Sequence, residues 1–446
     1  MLMQTLMRCC AALVLAGAGA GAAHAQLPQP CPAELPSQTR CYSGQDERGA
    51  FYWSAIPPSW NGVLVVHSHG GPSLKTPAPA DPAEDLKRFA VMVREGYAWT
   101  GSSYRHAGLG VRDAAEDTDM ARQLFWKAFG RPKRTLLHGQ SWGGNVAAKA
   151  AELYGRDSGG VLNYDGVILT SAILSGGSRA YDFRADLRAL YQYYCNNLPA
   201  PGEPAYPLWQ GLAAQDPMTP KQVVERLNSC TGLHLAPGAR SPQQQAALRN
   251  IVAVSRVPEA ALASHLNWAT GHFRDLTVRM LQGQNPFSNI GVNYTGSDDD
   301  AALNRGVQRF AATPEGLRAL VYDSDLSGKL IVPTLSIHAI GDPTVHVEVD
   351  AAFKDTVAGA GASGLLVQSF TDEREHSKLA TPQYVTLLRA MMEWIEQGKR
   401  PSPASLAAAC ERIAPAYQEA CHFNPGYTPR PLDTRVYPRI KPLAPQ

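Results

Sequence analysis

The chain has 446 residues, of which 44% are hydrophobic and 18% are charged, and its formal net charge at neutral pH is +2. A chain of this length buries a large core and forms one big domain or roughly two to three smaller ones. The near balance of charge argues against a nucleic acid or an anionic membrane surface as a partner.

Residues 1–25 have the pattern of a secretory signal peptide. Arg8 supplies a positive charge, residues 11–18 form a short apolar segment, and Ala23-His24-Ala25 has the form of a cleavage site. The apolar segment is too short to cross a membrane stably. We therefore expect the mature chain to be exported, either to the periplasm or out of the cell, with no membrane span.

The cysteines fall into local pairs along the chain. Of the eight cysteines, Cys9 and Cys10 precede the apolar segment and leave with the signal peptide. An even number of cysteines in an exported chain indicates disulfides, and the spacings do not match those of zinc ligands. We expect no metal site, and we predict the disulfides Cys31–Cys41, Cys195–Cys230 and Cys410–Cys421.

Strand-like and helix-like segments alternate through residues 26–175, after a Pro-rich lead-in, which predicts the first part of an α/β domain. The expected strands lie at residues 40–43, 51–56, 62–67, 97–100, 135–138 and 166–171, and the expected helices at residues 81–95, 113–129 and 145–154. Four acidic residues near the start of the second helix are interpreted as a solvated face that complements the helix dipole, and not as a metal site: Asp113, Glu116, Asp117 and Asp119.

The most informative stretch is Gly139-Gln140-Ser141-Trp142-Gly143-Gly144, which connects an apolar strand to a helical pattern. A Gly-x-Ser-x-Gly sequence at such a junction is typical of a nucleophile elbow, a turn so sharp that its serine adopts a strained conformation. Glycines flank the serine because side chains there would collide with the neighbouring strand and helix. We therefore predict that Ser141 is a nucleophile and that Gln140 lies beside the bound substrate.

A second glycine-rich turn, His69-Gly70-Gly71-Pro72, follows the apolar strand at residues 62–67. Hydrolases with a nucleophile elbow keep half of their oxyanion hole in such a turn. We predict that the backbone N–H groups of Gly71 and Trp142 stabilise the oxyanion. His69 is interpreted as a brace of this turn that borders the substrate site, because the base of such a domain comes late in the chain.

The alternation of strands and helices stops at residues 176–328, which have a helical and irregular pattern. Thr219-Pro220 and Ser241-Pro242 are helix starts, in which an N-cap residue precedes a proline. The segment leaves and re-enters the sheet near the edge where Ser141 emerges, so we predict a cap that sets specificity. Its aromatic residues are candidates for the cap's own core or for the substrate pocket: Tyr191, Tyr194, Trp209, Trp268 and Phe273.

The strand pattern resumes at residues 329–337. Asp342 lies in a Gly-Asp-Pro turn just after that strand, and His376 follows the next expected strand, at residues 364–370. A serine hydroxyl needs a histidine to accept its proton and a carboxylate to orient that histidine. We predict that Ser141, His376 and Asp342 form a triad. The rival candidates are Asp182 for the acid and His69 for the base.

The order serine, acid, histidine and the elbow itself resemble those of the α/β-hydrolase superfamily. The stretch Gly96-Tyr97-Ala98-Trp99-Thr100-Gly101-Ser102-Ser103-Tyr104, together with the elbow, looks like exported esterases and serine peptidases of the prolyl-oligopeptidase-like and tannase-like groups. The resemblance implies a mostly parallel sheet flanked by helices, formed by residues 26–175 and 329–398, with a large, mainly helical cap inserted at residues 176–328. Residues 399–446 are a Pro-rich tail that we expect along the core surface.

Three functions are compatible with these residues. The favoured one is an exported serine hydrolase that cleaves small or oligomeric carboxylic esters through an acyl-enzyme, without a cofactor. The second is an exported peptidase or amidase, such as an aminopeptidase, in which Glu203 or Glu225 of the cap would bind the substrate N-terminus. The third is a binding protein on a hydrolase scaffold, which the intact set of triad residues disfavours.

Overall fold

A computed structural model describes residues 26–439, so the predicted signal peptide, Cys9 and Cys10 lie outside the described residues, as do residues 440–446. The strands are β1 Leu27–Gln29, β2 Arg40–Gln45, β3 Phe51–Ile56, β4 Val63–Ser68, β5 Ala98–Ser102, β6 Arg134–Gln140, β7 Gly166–Thr170, β8 Thr334–Ala339 and β9 Leu366–Thr371. They form one sheet in the order β1-β2-β3-β5-β4-β6-β7-β8-β9.

The sheet is antiparallel at one edge and parallel elsewhere. β1, β2 and β3 pair antiparallel, β3 pairs antiparallel with β5, and each later pairing is parallel. β4, β7 and β8 are buried at every residue, as expected of parallel strands that helices cover on both faces. This strand order, with helices between the parallel strands, is the α/β-hydrolase fold, and it confirms the fold predicted from the sequence.

The helices cover both faces of the sheet. They are α1 Asp81–Arg88, α2 Ala90–Arg94, α3 Val111–Phe129, α4 Trp142–Tyr154, α5 Gly177–Ala180, α6 Asp182–Cys195, α7 Pro220–Thr231, α8 Pro242–Ser255, α9 Leu262–Asn267, α10 Asp300–Gly306, α11 Pro314–Ser324, α12 Val349–Gly359, α13 Thr381–Gln397 and α14 Pro403–Tyr417. One apolar core contains Phe125 of α3 and Val146 of α4. The other contains Leu86 of α1 and Met391 of α13.

Residues 176–328, here named the helical insertion, lie between β7 and β8. All of them are described by the structure, and they contain α5 to α11 without a strand. Their apolar side chains belong to the same core as those of α3 and α4. α7 and α8 begin at the predicted positions, where Thr219 and Ser241 accept hydrogen bonds from the N–H groups of Gln222 and Gln244 in capping boxes.

Two element boundaries differ from the sequence pattern. The helix expected at residues 81–95 is interrupted at Phe89, which has φ −102° and ψ 24°. The Phe89 ring is fully buried, 4.6 Å from the ring of His67, and this tertiary contact replaces the continuous helix. β8 begins at Thr334 instead of near residue 329, since Pro333 has no N–H to donate to a neighbouring strand.

The acidic start of α3 is not a solvated face, so that prediction is wrong for two of its residues. Asp117 and Asp119 are 1% and 4% exposed. Asp117 accepts a hydrogen bond from Arg105 Nε at 2.6 Å, and Asp119 accepts one from Arg122 Nε at 2.7 Å. A buried carboxylate is tolerated where a guanidinium pairs with it, and here the pairing outweighs contact with water.

The C-terminal segment lies against both the core and the helical insertion. The structure contains the disulfides Cys31–Cys41, Cys195–Cys230 and Cys410–Cys421, which are the predicted pairs. α14 packs against α13 and β9. Further along, the Tyr437 hydroxyl donates to the carbonyl of Val254 in the insertion at 3.0 Å. Within residues 26–439, no helix is long and apolar enough to cross a membrane.

Candidate active site

Ser141 lies at the sharp turn between β6 and α4, with φ 58° and ψ −126°. A residue other than glycine is strained at positive φ and is held there by its surroundings. A Cβ at Gly139 would collide with the backbone of Gly143, and a Cβ at Gly144 would collide with Ala172. The glycines of the elbow are therefore required by packing. Ser141 is left 8% exposed at the carboxyl edge of the sheet.

His376 stands between Ser141 and Asp342. Its Nε2 lies 2.8 Å from Ser141 Oγ, and its Nδ1 lies 2.7 Å from Asp342 Oδ2. Because the carboxylate accepts a hydrogen bond from Nδ1–H, the lone pair of Nε2 faces the serine hydroxyl. The loops after β6, β8 and β9 thus bring the three predicted residues into one chain of hydrogen bonds, since parallel strands end at the same edge of the sheet.

The carboxylate of Asp342 is buried and held in one orientation. Its Oδ1 accepts the backbone N–H groups of Thr344 at 2.8 Å and Val345 at 3.0 Å. Burial opposes the negative charge, but the neighbouring His338 and the hydrogen bond from His376 outweigh it and hold the pKa of Asp342 well below its usual range. Asp342 is therefore ionised at neutral pH, as the orienting acid of a triad must be.

Both rival residues face other partners. Asp182, the first residue of α6, is buried with its carboxylate 3.8 Å from Arg439 Nε, and burial raises the pKa of Asp182 to about 7. His69 donates from Nδ1 to Asp85 Oδ2 at 2.5 Å, as the predicted brace of its turn would. Burial alone would lower the pKa of His69, but the hydrogen bond and charge of Asp85 raise it.

The His-Gly-Gly turn (residues 69–72) lies against the first turn of α4. A Cβ at Gly143 would collide with the carbonyl groups of Ser68 and His69, so glycine at that position permits the contact. Gly71 has φ 68°, and a side chain there would meet no atom within 4 Å. Trp142 is the first residue of α4, so its N–H has no acceptor within the helix. The two predicted oxyanion donors therefore belong to turns that lie side by side.

Two of the five aromatic residues considered for the pocket belong to the interior of the helical insertion. Tyr191 and Phe273 are fully buried in its core. Tyr194 packs edge-on against a neighbouring tyrosine, with ring centres 4.9 Å apart. Trp209 is half-buried in a short turn before α7. Tyr191 and Phe273 therefore belong to the insertion's interior, the first of the two roles predicted for this set.

Trp268 contacts His272 and Arg184, two residues of the insertion that donate hydrogen bonds to loops near Ser141, and Gln140 directly precedes Ser141 in the chain. The Trp268 ring stacks on His272, with ring centres 4.6 Å apart and an interplanar angle of 9°. The guanidinium of Arg184 lies 4.5 Å from the centre of the Trp268 ring. Gln140 is 4% exposed, and its side chain lies beside Gly70 of the His-Gly-Gly turn.

The helical insertion contacts the loop that carries Asp342, here named the acid loop (residues 340–345). His265 donates from Nε2 to the carbonyl of Pro343 at 2.8 Å. Arg184 donates from Nη2 to the carbonyl of Thr344 at 3.2 Å and from Nε to His265 Nδ1 at 3.2 Å. Burial lowers the pKa of His265 to about 3, so this histidine is a neutral donor.

The insertion also contacts the His-Gly-Gly turn. His272 donates from Nε2 to the carbonyl of Pro72 at 2.9 Å, and burial lowers the pKa of His272 to about 4. Arg184, His265 and His272 were not among the site residues predicted from the sequence. The spacing of the two histidines could have indicated them, because His265 and His272 are seven residues apart and residues with that spacing share one face of a helix.

No family model matches the sequence, and no curated protein sequence matches it. Among solved structures, feruloyl esterase B from Aspergillus oryzae is 14% identical, with a TM-score of 0.48 over 85% of this chain and 86% of that chain. Lipase A from Candida antarctica is 14% identical, with a TM-score of 0.42 over 89% and 83%. Tannin acyl hydrolase from Aspergillus niger is 11% identical, with a TM-score of 0.39 over 84% and 82%. At these identities the likeness concerns the fold alone.

The assignment of the acid is tested by a matched pair of variants. Asp342→Asn should lower kcat by about a thousandfold or more on any substrate that the protein turns over, because the amide stabilises the wrong tautomer of His376. Asp182→Asn removes an equally buried carboxylate and should leave kcat within about twofold. Thermal unfolding of both variants checks that the fold is intact. Near-normal turnover by Asp342→Asn, with loss of turnover in Asp182→Asn, would move the assignment to Asp182.

Proposed function

We propose that the protein is an exported serine hydrolase that cleaves carboxylic esters through an acyl-enzyme. The observation that carries the proposal is the continuous chain of hydrogen bonds from Ser141 through His376 to Asp342. A serine hydroxyl, an imidazole with its lone pair on that hydroxyl and a buried carboxylate are the parts that acyl transfer requires. Export is supported by the disulfides, which form and persist in oxidising compartments.

The reaction proceeds in two half-reactions. His376 accepts the proton of the Ser141 hydroxyl as Oγ attacks the acyl carbon, and the carbonyl oxygen becomes an oxyanion that the N–H groups of Gly71 and Trp142 stabilise. The tetrahedral intermediate then collapses, the ester C–O bond breaks, and the alcohol leaves with the proton from His376. A water molecule repeats the sequence on the acyl-enzyme, which releases the acid and restores Ser141.

An ester is favoured over a peptide as substrate because the two acids considered for binding a substrate N-terminus already have cationic partners. Glu203 accepts hydrogen bonds from Arg226, with Oε2 2.7 Å from Nη1. Glu225 lies 3.8 Å from the ammonium of Lys221 on the surface of α7. An aminopeptidase needs a carboxylate that is free to pair with the α-ammonium group of its substrate, and a cationic neighbour competes for that role.

The helical insertion is proposed to be a cap that selects the substrate. Its segment from His265 to His272 contacts the acid loop and the His-Gly-Gly turn, so it lies beside the space that an acyl group must enter. Trp268 lies within this segment and is only partly buried. A partly buried indole in this segment is the kind of apolar wall that lines small-molecule sites.

The reaction class is tested by assaying the purified protein on aryl esters and on aminoacyl anilides with matched acyl groups. We expect kcat/KM for the esters to exceed that for the anilides by about a hundredfold or more, and Ser141→Ala to remove about a thousandfold from kcat on both. A preference for the anilides would identify a peptidase. If the folded wild-type protein hydrolyses neither series, the hypothesis of a binding protein on a hydrolase scaffold is supported instead.

The proposed cap is tested by comparing two tryptophans of the helical insertion. Trp268→Ala should change kcat/KM unequally for esters with bulky and with small acyl chains, by about tenfold between the two, because it removes one wall of the acyl site. Trp209→Ala removes the same side chain from a turn elsewhere in the insertion and should change both values equally. Equal effects of Trp268→Ala on all substrates, in proportion to a lowered Tm, would show that this residue does not select the acyl group.

A further inference from the structure

A second histidine lies behind the predicted acid. His338, on β8, is four residues before Asp342 and is 1% exposed. Its Nδ1 lies 2.6 Å from Asp350 Oδ2, at the start of α12. On the other side of the ring, Nε2 lies 2.9 Å from the carbonyl oxygen of Val345 and 3.5 Å from Asp342 Oδ2. Each ring nitrogen therefore faces oxygen atoms of carboxylates or of a carbonyl.

This arrangement determines the protonation of His338. A neutral imidazole has a single N–H, so it would direct a lone pair at Asp350 or at the carbonyl of Val345, and two acceptors would face each other. The side chains of Asp342 and Asp350 are both 0% exposed, and two carboxylates removed from water require a nearby cation. Burial alone would lower the pKa of His338, but Asp350 and Asp342 outweigh it and raise that pKa to about 10.

The other polar groups around His338 leave this charge in place. Asp350 also accepts hydrogen bonds from Ser336 Oγ and Gln368 Nε2, both neutral groups, each at 3.2 Å.

The titratable and charged groups that face Asp342 from the surrounding elements are His338 on β8, His376 after β9, His346 before α12, and Arg184 and His265 of the helical insertion. Burial lowers the pKa of His265 to about 3 and that of His346 well below its usual range, so neither adds a charge.

We propose that His338 is a permanent imidazolium that positions Asp342 and tunes the basicity of His376. The inference rests on the proposed function, in which His376 is the base. A fixed positive charge on the far side of Asp342 offsets part of the negative charge that His376 senses. Protonation of His376 is thereby disfavoured, so the base stays neutral and active at a lower pH than the Asp342–His376 pair alone would allow. His338 is a positioning residue and does not touch the substrate.

The first test is direct and needs no turnover. The protein carrying Ser141→Ala is labelled with 15N-histidine, and the ring nitrogens are followed by NMR between pH 5 and about pH 9, with His338 assigned from the signal lost in His338→Gln. We expect both ring nitrogens of His338 to carry a proton across this range. Should His338→Gln fail to fold, the signal is assigned from its displacement in Asp350→Asn. A His338 ring that is neutral at pH 7 would overturn the inference.

The second test reads the effect on the proposed base. In a plot of kcat/KM against pH, the acid limb is the fall in activity as His376 becomes protonated. In His338→Gln this limb should move to higher pH by about one pH unit, because a positive unit charge close to His376 has been removed. Gln368→Ala is the matched control: it removes the hydrogen bonds of the amide to the carbonyl and to Oδ1 of Asp350 without changing a charge, and the acid limb should not move. If His338→Gln folds and its acid limb stays at the wild-type pH, His338 does not tune the basicity of His376. A purely structural residue would alter kcat or Tm without moving the limb.

The two failures are distinguishable. If Ser141→Ala retains full turnover, the proposed function fails, whereas the protonation of His338 is still read from the NMR spectrum. If Ser141→Ala abolishes turnover but the His338 ring is neutral or the limb does not move, the proposed function stands and the role of His338 is rejected.

Discussion

The contact between the first turn of α4 and the end of β4 is the constraint on which the rest of the site depends. It exists because Gly143 has no side chain that would strike the carbonyl groups of Ser68 and His69. The same turn holds Ser141 at φ 58°, a conformation that an isolated chain would leave. The position of the nucleophile and the position of the His-Gly-Gly turn are therefore set together, by backbone packing at the centre of a parallel sheet.

The acid loop and the His-Gly-Gly turn are each supported from two sides, by the core and by the helical insertion. On the side of the core, a histidine–aspartate pair supports each loop: His338–Asp350 lies behind the acid loop, and His69, the first residue of the His-Gly-Gly turn, pairs with Asp85 of α1. Hydrogen bonds that involve charged partners contribute roughly 1.5–3 kcal/mol each, so these pairs restrict the loops more firmly than neutral contacts would. Rigid donors and a rigid acid are what catalysis by electrostatic preorganisation requires.

From the helical insertion, a neutral histidine donates to a proline carbonyl in each loop. His265 reaches Pro343 in the acid loop, and His272 reaches Pro72 in the His-Gly-Gly turn. Both histidines are neutral because burial lowers the pKa of each, so these contacts persist at neutral pH. A displacement of the insertion would therefore disturb a hydrogen bond to each loop, which links the proposed cap to the geometry of the reacting groups.

The sequence predicts the fold and the chain positions of Ser141, Asp342 and His376, because strand periodicity, the glycines of the elbow and the order of the triad are local signals. It does not predict which polar residues become buried pairs. The helix-dipole interpretation of Asp117 was wrong because its partner, Arg105, comes from the loop before α3, and periodicity carries no information on such contacts. The pairing of His338 with Asp350 was not predicted for the same reason, since the two residues lie on different elements.

Covalent labelling tests the central claim most directly. The mature protein is treated with an organophosphonate, digested, and mapped by mass spectrometry, with His376→Ala as the control. We expect a single adduct on Ser141 of the wild-type protein and labelling slowed by at least about a hundredfold in the control, because the hydroxyl then lacks its base. An adduct on another serine, with Ser141 unmodified, would show that Ser141 is not the nucleophile.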